Sequence, residues 1–592
     1  MLARLNLVKP YLKRYRRYMW WGLVAIAISN ALGLMAPLVL RRAINRIEHG
    51  GGVQFLLWDA TLIMLLALGS GVFRFLVRRT VIWASRKIEF DLRADLFAHL
   101  LRLDGSFFDR TPTGDIITRA SSDVEQVRMM IGPGIMQGVN TLVTAGVAIP
   151  LMVHLDWRLA LYALLPLPIL ALLTNLLGGV AHRRLMAIQE AFSRLSGFVQ
   201  ESLAGMRVIR AFANESDKSR RFETDNKSYM RLNMRLIKMY GAYMPLLSML
   251  SGAAVLLVLY FGGKAVIEGR IDLGTLVAFS VYLGELVWPM IALGWVVSLY
   301  QRGLVSIKRL ETIMKMQPRV ADPAPEVAVS PAASGALEFR RLTFSYAGNG
   351  NGNGHKEESG RKALEDISFV IRPGETVAIA GATGSGKSTI AHLLWRRYRV
   401  ADHAMFLGEV DANAIRLADW RARIALVAQE PFMFSDTLSA NIAVGSAGMT
   451  ANRLDEVSHQ AALAKDMQQF PSAYETVVGE RGITLSGGQK QRVTLARALA
   501  AQSEILVLDD AFSAVDAQTE QEILDRLADL FGTRIIILIT HRLSTLRRVD
   551  RILFLDKGRL VDSGAHDEML TRGGAYARWV AREALKEELE RM

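Results

Sequence analysis

The chain contains no cysteine. That excludes a disulfide framework, a cysteine-ligated zinc site and a thiol nucleophile, and it suits a protein that faces the cytosol. Acid is the scarcer charge: 57 Asp and Glu stand against 71 Lys and Arg, a formal net charge of +14. A basic balance draws either nucleic acid or an anionic membrane surface. The basic clusters here border apolar stretches, so the balance points to a membrane and not to nucleic acid. Charge of either sign is nearly missing from several long stretches before residue 300, although 22% of all residues are charged. A length of 592 residues leaves room for two or more domains.

What fills the uncharged stretches is aliphatic. Six of them, near residues 20–41, 55–77, 132–155, 158–180, 245–267 and 273–300, are long enough to cross about 30 Å of hydrocarbon. Only Asp156 and Trp157 separate the third from the fourth, which predicts a tight turn. Long polar segments rich in Arg and Lys follow the second and the fourth, and Ile88, Leu92, Leu96 and Leu100 keep helical spacing there. These segments read as membrane helices that continue into the cytoplasm. The positive-inside bias puts both of them, and both termini, on the cytoplasmic side. The pattern breaks at residues 107–115 and 202–209, where Gly and Pro predict a short helix between turns, with the cytoplasmic domain as the available partner. Residues 1–19 alternate Leu5, Leu7, Val8 and Leu12 with Lys and Arg and lead into Trp20 and Trp21, which predicts a short helix on the cytoplasmic leaflet. No small-residue cleavage site follows the first apolar run, so a secretory signal is rejected.

Within the spans, Glu285 is an acid in the sixth stretch. It reads equally as a functional carboxylate or as a hydrogen-bonded helix contact near Pro289. Asn140 and Asn175 read as bridges between helices. Residues 316–336, rich in Pro and Ala, form a linker, and strand patterns begin at Leu337. Residues 348–360 are polar and of low complexity, which predicts a disordered loop.

The most informative stretch runs from Gly381 to Thr389. The apolar run 376–380 precedes it and a helical pattern from Ile390 follows. Strand, glycine-rich loop and helix are the setting of a phosphate-binding loop. Glycine lets backbone wrap an anion, and the helix N-terminus points free N–H groups at it. Lys387 is placed for the β- and γ-phosphates and Ser388 for Mg²⁺. Two further motifs accompany it. Residues 505–508 are an apolar run ending in Asp509 and Asp510, the pattern of a second Mg²⁺-binding strand. Leu485, Ser486, Gly487, Gly488 and Gln489 stand before a helix and form a second candidate anion site.

These motifs, in this order and spacing after six apolar stretches, resemble the ATP-binding cassette (ABC) transporters, in the form with six membrane helices fused to one nucleotide-binding domain. The resemblance covers nearly the whole chain. It implies an α-helical membrane domain at 1–315, the linker at 316–336 and an α/β P-loop cassette domain at 337–592, with ATP and Mg²⁺ as cofactors. Tyr346 is then the aromatic that stacks on adenine. Gly381, Thr383, Gly384, Ser385, Gly386, Lys387, Ser388 and Thr389 hold the phosphates. Ser388, Gln429 and Asp509 attend Mg²⁺, and Gln429 senses the γ-phosphate. Residues 480–482 touch the membrane helices, Ser486, Gly487, Gly488 and Gln489 face the nucleotide of an opposite subunit, and residues 513–516 couple the two sites. His541 contacts the γ-phosphate.

One position departs from the family pattern. Most members carry a glutamate after the Mg²⁺-binding aspartate as general base, and this chain has Asp510. Its side chain is one methylene shorter, and a misplacement of about 1 Å can cost on the order of a hundredfold in rate. The resemblance to bacterial multidrug-resistance-like heterodimeric exporters then implies the half with a slow site of its own and an intact signature for its partner. The expected function is ATP-driven export of lipophilic compounds through the cell membrane, with a second half-transporter and membrane lipids as partners. A homodimer with Asp510 as working base, or a nucleotide-gated or regulatory membrane subunit, stays open.

Overall fold

A computed structural model describes residues 5–50, 52–324, 329, 335–346, 362–446, 448–479, 485–530 and 532–591. They form two compact units, Met1–Leu101 with Thr113–Met316, and Arg102–Pro112 with Gln317–Met592.

The first unit is helical throughout. Apolar spans that continue into polar segments of helical spacing build helices far beyond the average of about 11 residues: Glu215–Ile267 has 53 residues and Leu273–Met314 has 42. At 1.5 Å per residue the former is about 80 Å long, more than twice the hydrocarbon thickness. Among the described residues, five helices are long and apolar enough to cross a membrane: Arg16–Glu48, Val53–Leu100, Thr113–Leu155, Glu215–Ile267 and Leu273–Met314. The stretch expected at 158–180 is not one of them. It falls on two helices, Trp157–Leu164 and Pro166–Ala204, the second restarted by a proline in its first turn, where the missing N–H costs nothing. The expected tight turn is present, with Asp156 capping the next helix through Leu159 N at 2.7 Å.

Polar side chains pin the apolar faces together. Ser29 Oγ donates to Ser70 O at 3.0 Å, Tyr282 OH to Leu34 O at 2.8 Å, and Ser306 Oγ to Asp123 Oδ1 at 2.7 Å. Asn140 bridges as expected, accepting from Asn30 Nδ2 at 3.1 Å, whereas the side chain of Asn175 lies outside the described residues. Glu285 is exposed and makes no hydrogen bond or ion pair with a described residue, so the helix-contact reading is not met in this chain. The N-terminal helix Lys9–Arg14 is held by protein: Tyr11 OH and Arg14 Nη1 reach Asp95 and Asp91 at 2.6 and 2.7 Å. Trp20 and Trp21 remain exposed.

Among the described residues the second unit holds ten strands: β1 Leu337–Ser345, β2 Lys362–Ile371, β3 Thr376–Gly381, β4 Met405–Leu407, β5 Val410–Asp411, β6 Ile424–Val427, β7 Ile505–Asp509, β8 Ile535–Ile539, β9 Arg551–Asp556 and β10 Arg559–Gly564. β2-β1-β4-β5 form an antiparallel sheet. The larger sheet runs β10-β9-β3-β8-β7-β6, parallel except for β10. Every residue of β3, β7 and β8 is buried, the reason these strands read as continuous apolar runs. Alternate residues feed two cores. Ile505, Val507, Ile535 and Ile537 join one, while Leu506, Leu508, Ile536 and Leu538 join the other.

The segment 102–112 belongs to this second unit. Its helix Gly105–Arg110 is capped by Asp104, whose other oxygen accepts from Arg319 N at 2.7 Å. Gly105 N donates to Arg397 O at 3.0 Å, and a Cβ at Gly105 would lie 2.5 Å from Arg397 Cγ, so no side chain fits there. Asp109 accepts from Arg397 Nη2 at 2.8 Å and from Tyr398 OH at 2.6 Å. The other predicted break is the helix Met206–Ala211, set off by Gly205. The predicted loop 348–360, most of the linker from 325 onward and residues 480–482 lie outside the described residues.

Candidate functional site

The site starts at the end of β3. Gly381 at φ 149° and Gly386 at φ 101° turn the chain through conformations that disfavour other residues, and a Cβ at Gly386 would meet Ala363 O at 2.7 Å. The helix Lys387–Leu394 then begins on Gly386 with no side-chain cap, so its first N–H groups stay free. Lys387 Nζ folds back onto Gly381 O and Ala382 O at 2.8 and 2.9 Å. Burial holds the pKa of this amine below that of a free lysine. Ser385 Oγ is buried without a hydrogen-bond partner among the described residues.

A cavity of about 620 Å³ opens over the loop. Tyr346, Gly381, Thr383, Gly384, Gly386, Lys387, Ser388, Thr389, Gln429, Asp509, Asp510 and His541 all line it. Tyr346 OH pairs with Thr389 Oγ1 at 3.0 Å, and its ring meets Tyr398 edge-on at 5.3 Å. Ser388 Oγ donates to Asp509 Oδ1 at 3.1 Å. Burial pushes Asp509 up to about 6, with the nearby Asp510 adding to the shift and the Ser388 hydrogen bond opposing it. Asp510 takes a left-handed backbone, φ 49°, which sets its Oδ1 3.5 Å from His541 Nδ1.

Ser486, Gly487, Gly488 and Gln489 do not line this cavity. They begin another helix, Gly487–Ala500, where Ser486 and Gln489 form a reciprocal cap. Gln491 ties that helix to the 513–516 segment, bonding Ser513 Oγ at 2.7 Å and Ala514 N at 2.9 Å. Sequence reasoning missed part of the wall: Lys362, Ala363, Lys557, Gly558 and, from the C-terminal helix, Trp579, Glu583 and Lys586. Those three helix residues carry no local motif, and the packing of Tyr576 and Trp579 on Phe554 brings them in.

The free helix N-terminus, the buried lysine, the partnerless Ser385 hydroxyl and the glycine cradle fit a polyphosphate. The Ser388 hydroxyl and Asp509 carboxylate suit a hard divalent cation that takes its remaining ligands from phosphate and water. Among the described residues no group of three His, Asp or Glu gathers as a closed metal cage, in keeping with that arrangement.

Comparison with known proteins agrees with this geometry. Residues 19–290 match the model of the ABC transporter transmembrane region, and residues 364–513 the ABC transporter model. The chain is 35% identical over 568 residues to the multidrug resistance-like ATP-binding protein MdlA of Escherichia coli K12, covering 95% of this chain and 94% of that one. It is 33% identical to YheI of Bacillus subtilis, a probable multidrug resistance ABC transporter protein, covering 95% of each. It is 29% identical to the ATP-dependent lipid A-core flippase of Syntrophus aciditrophicus, covering 97% of this chain and 92% of that one. The solved structure of a bacterial Atm1-family ABC exporter with ATP bound matches at a TM-score of 0.78 and 26% identity, over 96% of this chain and 99% of that one. The chain belongs to the ABC transporter family, as a helical membrane region fused to an ATP-hydrolysing cassette. Exporters of this kind work as dimers.

Proposed function

We propose that the chain is one half of a dimeric exporter that uses ATP to move lipophilic compounds across the cytoplasmic membrane. In this reading the membrane domain is 1–315 with six spans, the stretch 158–180 being the fourth, and both termini are cytoplasmic. The cassette domain is 337–592 after the linker 316–336. The observation that carries the dimer is the separation of the two glycine motifs: the cavity on Lys387 is lined without Ser486–Gln489, so a signature motif must come from a second cassette. The multidrug names of MdlA and YheI support a lipophilic substrate.

Tyr346 would hold the base, and residues 381–389 the phosphates. Ser388, Gln429 and Asp509 would hold Mg²⁺, which when bound neutralises phosphate charge. Asp510 and His541 are placed to orient the attacking water, and the short Asp510 side chain makes this chain's own site slow. Its signature motif would complete the faster site of a different partner.

The test is steady-state ATPase of the chain alone, of the chain with its partner, and of Asp510→Asn in each, beside uphill transport of a lipophilic dye into vesicles. The heterodimer reading expects poor hydrolysis alone and little effect of Asp510→Asn in the pair. A fast homodimer that loses about 10²–10⁴-fold on Asp510→Asn would make Asp510 the working base instead. Ligand-independent ATPase with no uphill transport would favour the regulatory subunit.

A further inference from the structure

The last turns of the helix Arg16–Glu48 carry charge of the sign least expected there. In the orientation proposed above, on which this inference rests, they lie at the outer face, where Lys and Arg are depleted. Yet Arg41, Arg42 and Arg46 follow one another along one side of the helix. Two carboxylates face them. Arg41 Nη2 lies 2.6 Å from Asp272 Oδ2, while Arg42 Nη2 and Arg46 Nη1 lie 2.5 and 2.8 Å from the two oxygens of Asp59. Three guanidinium groups thus share two carboxylates, and Glu48 in the same last turn balances the third charge.

The partners also fix where the guanidinium groups point. Asp59 is fully buried, so it holds Arg42 and Arg46 from beneath, and Arg46 also lies over the Phe55 ring at 5.3 Å. The arginine side chains stay partly exposed, at 36% for Arg41, 51% for Arg42 and 36% for Arg46. They border a cavity of about 510 Å³ lined by Leu38, Arg41, Arg42, Asn45, Arg46 and His49. Its membrane-ward end is the apolar Leu38, and its outer end is cationic. Guanidinium forks match phosphate oxygens in pairs, and forks already oriented lose little freedom on binding. All three arginines serve this clamp, Arg42 and Arg46 by sharing Asp59, and each keeps N–H groups free of the carboxylates for a further acceptor.

We propose that this pocket binds the phosphate head of an anionic lipid at the outer leaflet, with the acyl end toward Leu38.

The experiment uses the full-length protein, stripped of lipid in detergent, with phosphatidylglycerol, phosphatidylcholine and glycerol 3-phosphate as probes, read by native mass spectrometry. Phosphatidylglycerol should bind about tenfold better than phosphatidylcholine, and Arg41→Gln or Arg46→Gln should each remove about tenfold, the worth of one charged hydrogen bond. Arg41→Lys should lose less than either. Each substitution leaves its carboxylate a partner, Arg42 for Asp59 and Thr275 for Asp272. If Arg46→Gln fails to fold, Arg41→Gln decides alone. Equal phosphatidylglycerol binding in wild type and Arg41→Gln would overturn the site. Competition by glycerol 3-phosphate at equal concentration would make free phosphate the ligand and overturn the lipid. Because the chain lacks cysteine, His49→Cys gives a single label for a membrane-impermeant maleimide on intact cells. No labelling there would refute the orientation; labelling without lipid preference would refute the pocket alone.

Discussion

Two helices of the cassette start in glycine-rich stretches, and their N-termini have opposite chemistry. Lys387–Leu394 begins on Gly386, which offers no side chain, so its first N–H groups face the cavity bare. Gly487–Ala500 begins on Ser486, and there Gln489 N donates to Ser486 Oγ at 3.2 Å while Ser486 N donates to Gln489 Oε1 at 3.0 Å. The first end is ready for an anion as folded. The second is satisfied by its own residues, and it offers a phosphate only what the cap leaves over. A glycine-rich helix start is therefore not one kind of site, and the residue in the capping position decides which kind it is.

The largest effect that would test this contrast is Gly487→Asp. It puts a carboxylate where a partner's nucleotide is expected, and turnover of the assembled transporter should fall about 10²–10³-fold. ATP binding at this chain's own loop, followed by a fluorescent nucleotide, should stay within about twofold. Unchanged turnover would mean that the capped end never meets phosphate. Lys387→Ala attacks the open end instead. It deletes a buried charged donor, so ATP affinity at this site should drop about a hundredfold in equilibrium binding, with the capped helix unaffected.

A smaller effect concerns stability without nucleotide. Burial raises Asp509 from 3.8 to about 6, so the folded chain holds a proton there that the unfolded chain has released. Stability contributed at this position is full below about pH 4 and falls as pH rises through about 6. Asp509→Asn should therefore raise the unfolding free energy of nucleotide-free protein at pH 7.5 by up to about 3 kcal/mol, read in chemical denaturation, and leave it unchanged near pH 4. An equal gain at both pH values would assign it to packing. The smallest effect is Ser486→Ala. Losing the cap should cost about 1 kcal/mol in chemical unfolding of the cassette, and the same change at the uncapped helix has no counterpart to lose.

How much of this was legible beforehand follows the distance over which each feature is made. The strand, glycine turn and helix at 376–394 were readable because their residues are consecutive, and the same holds for the Asp156 turn, while the break read at 107–115 is met by a short helix, Gly105–Arg110, that starts two residues earlier. Gln429, Asp509, Asp510 and His541 were placed from the family pattern, and all four do line one cavity. Glu583 and Lys586 were not legible, since ordinary helical charges reach the cavity through the seating of Tyr576 and Trp579. Lys557 and Gly558 come from the turn between β9 and β10, which carries none of the motifs read from the sequence. The run at 158–180 reads as one apolar span, but Pro166 divides it into two helices. Exposure of Glu285 could not be read either, because helical spacing alone does not say which face finds a neighbour.

The helix Gly105–Arg110 has a consequence for biosynthesis. The carboxylate that closes on Tyr398 is 289 residues upstream of it. At about 5–20 residues per second, Asp109 leaves the ribosome roughly 15–60 s before its partner exists. The second unit is thus not a contiguous stretch of chain, and the piece made first waits for the rest of it. A fragment that begins at Gln317 comes off the ribosome without that piece, with Arg397 and Tyr398 lacking their carboxylate.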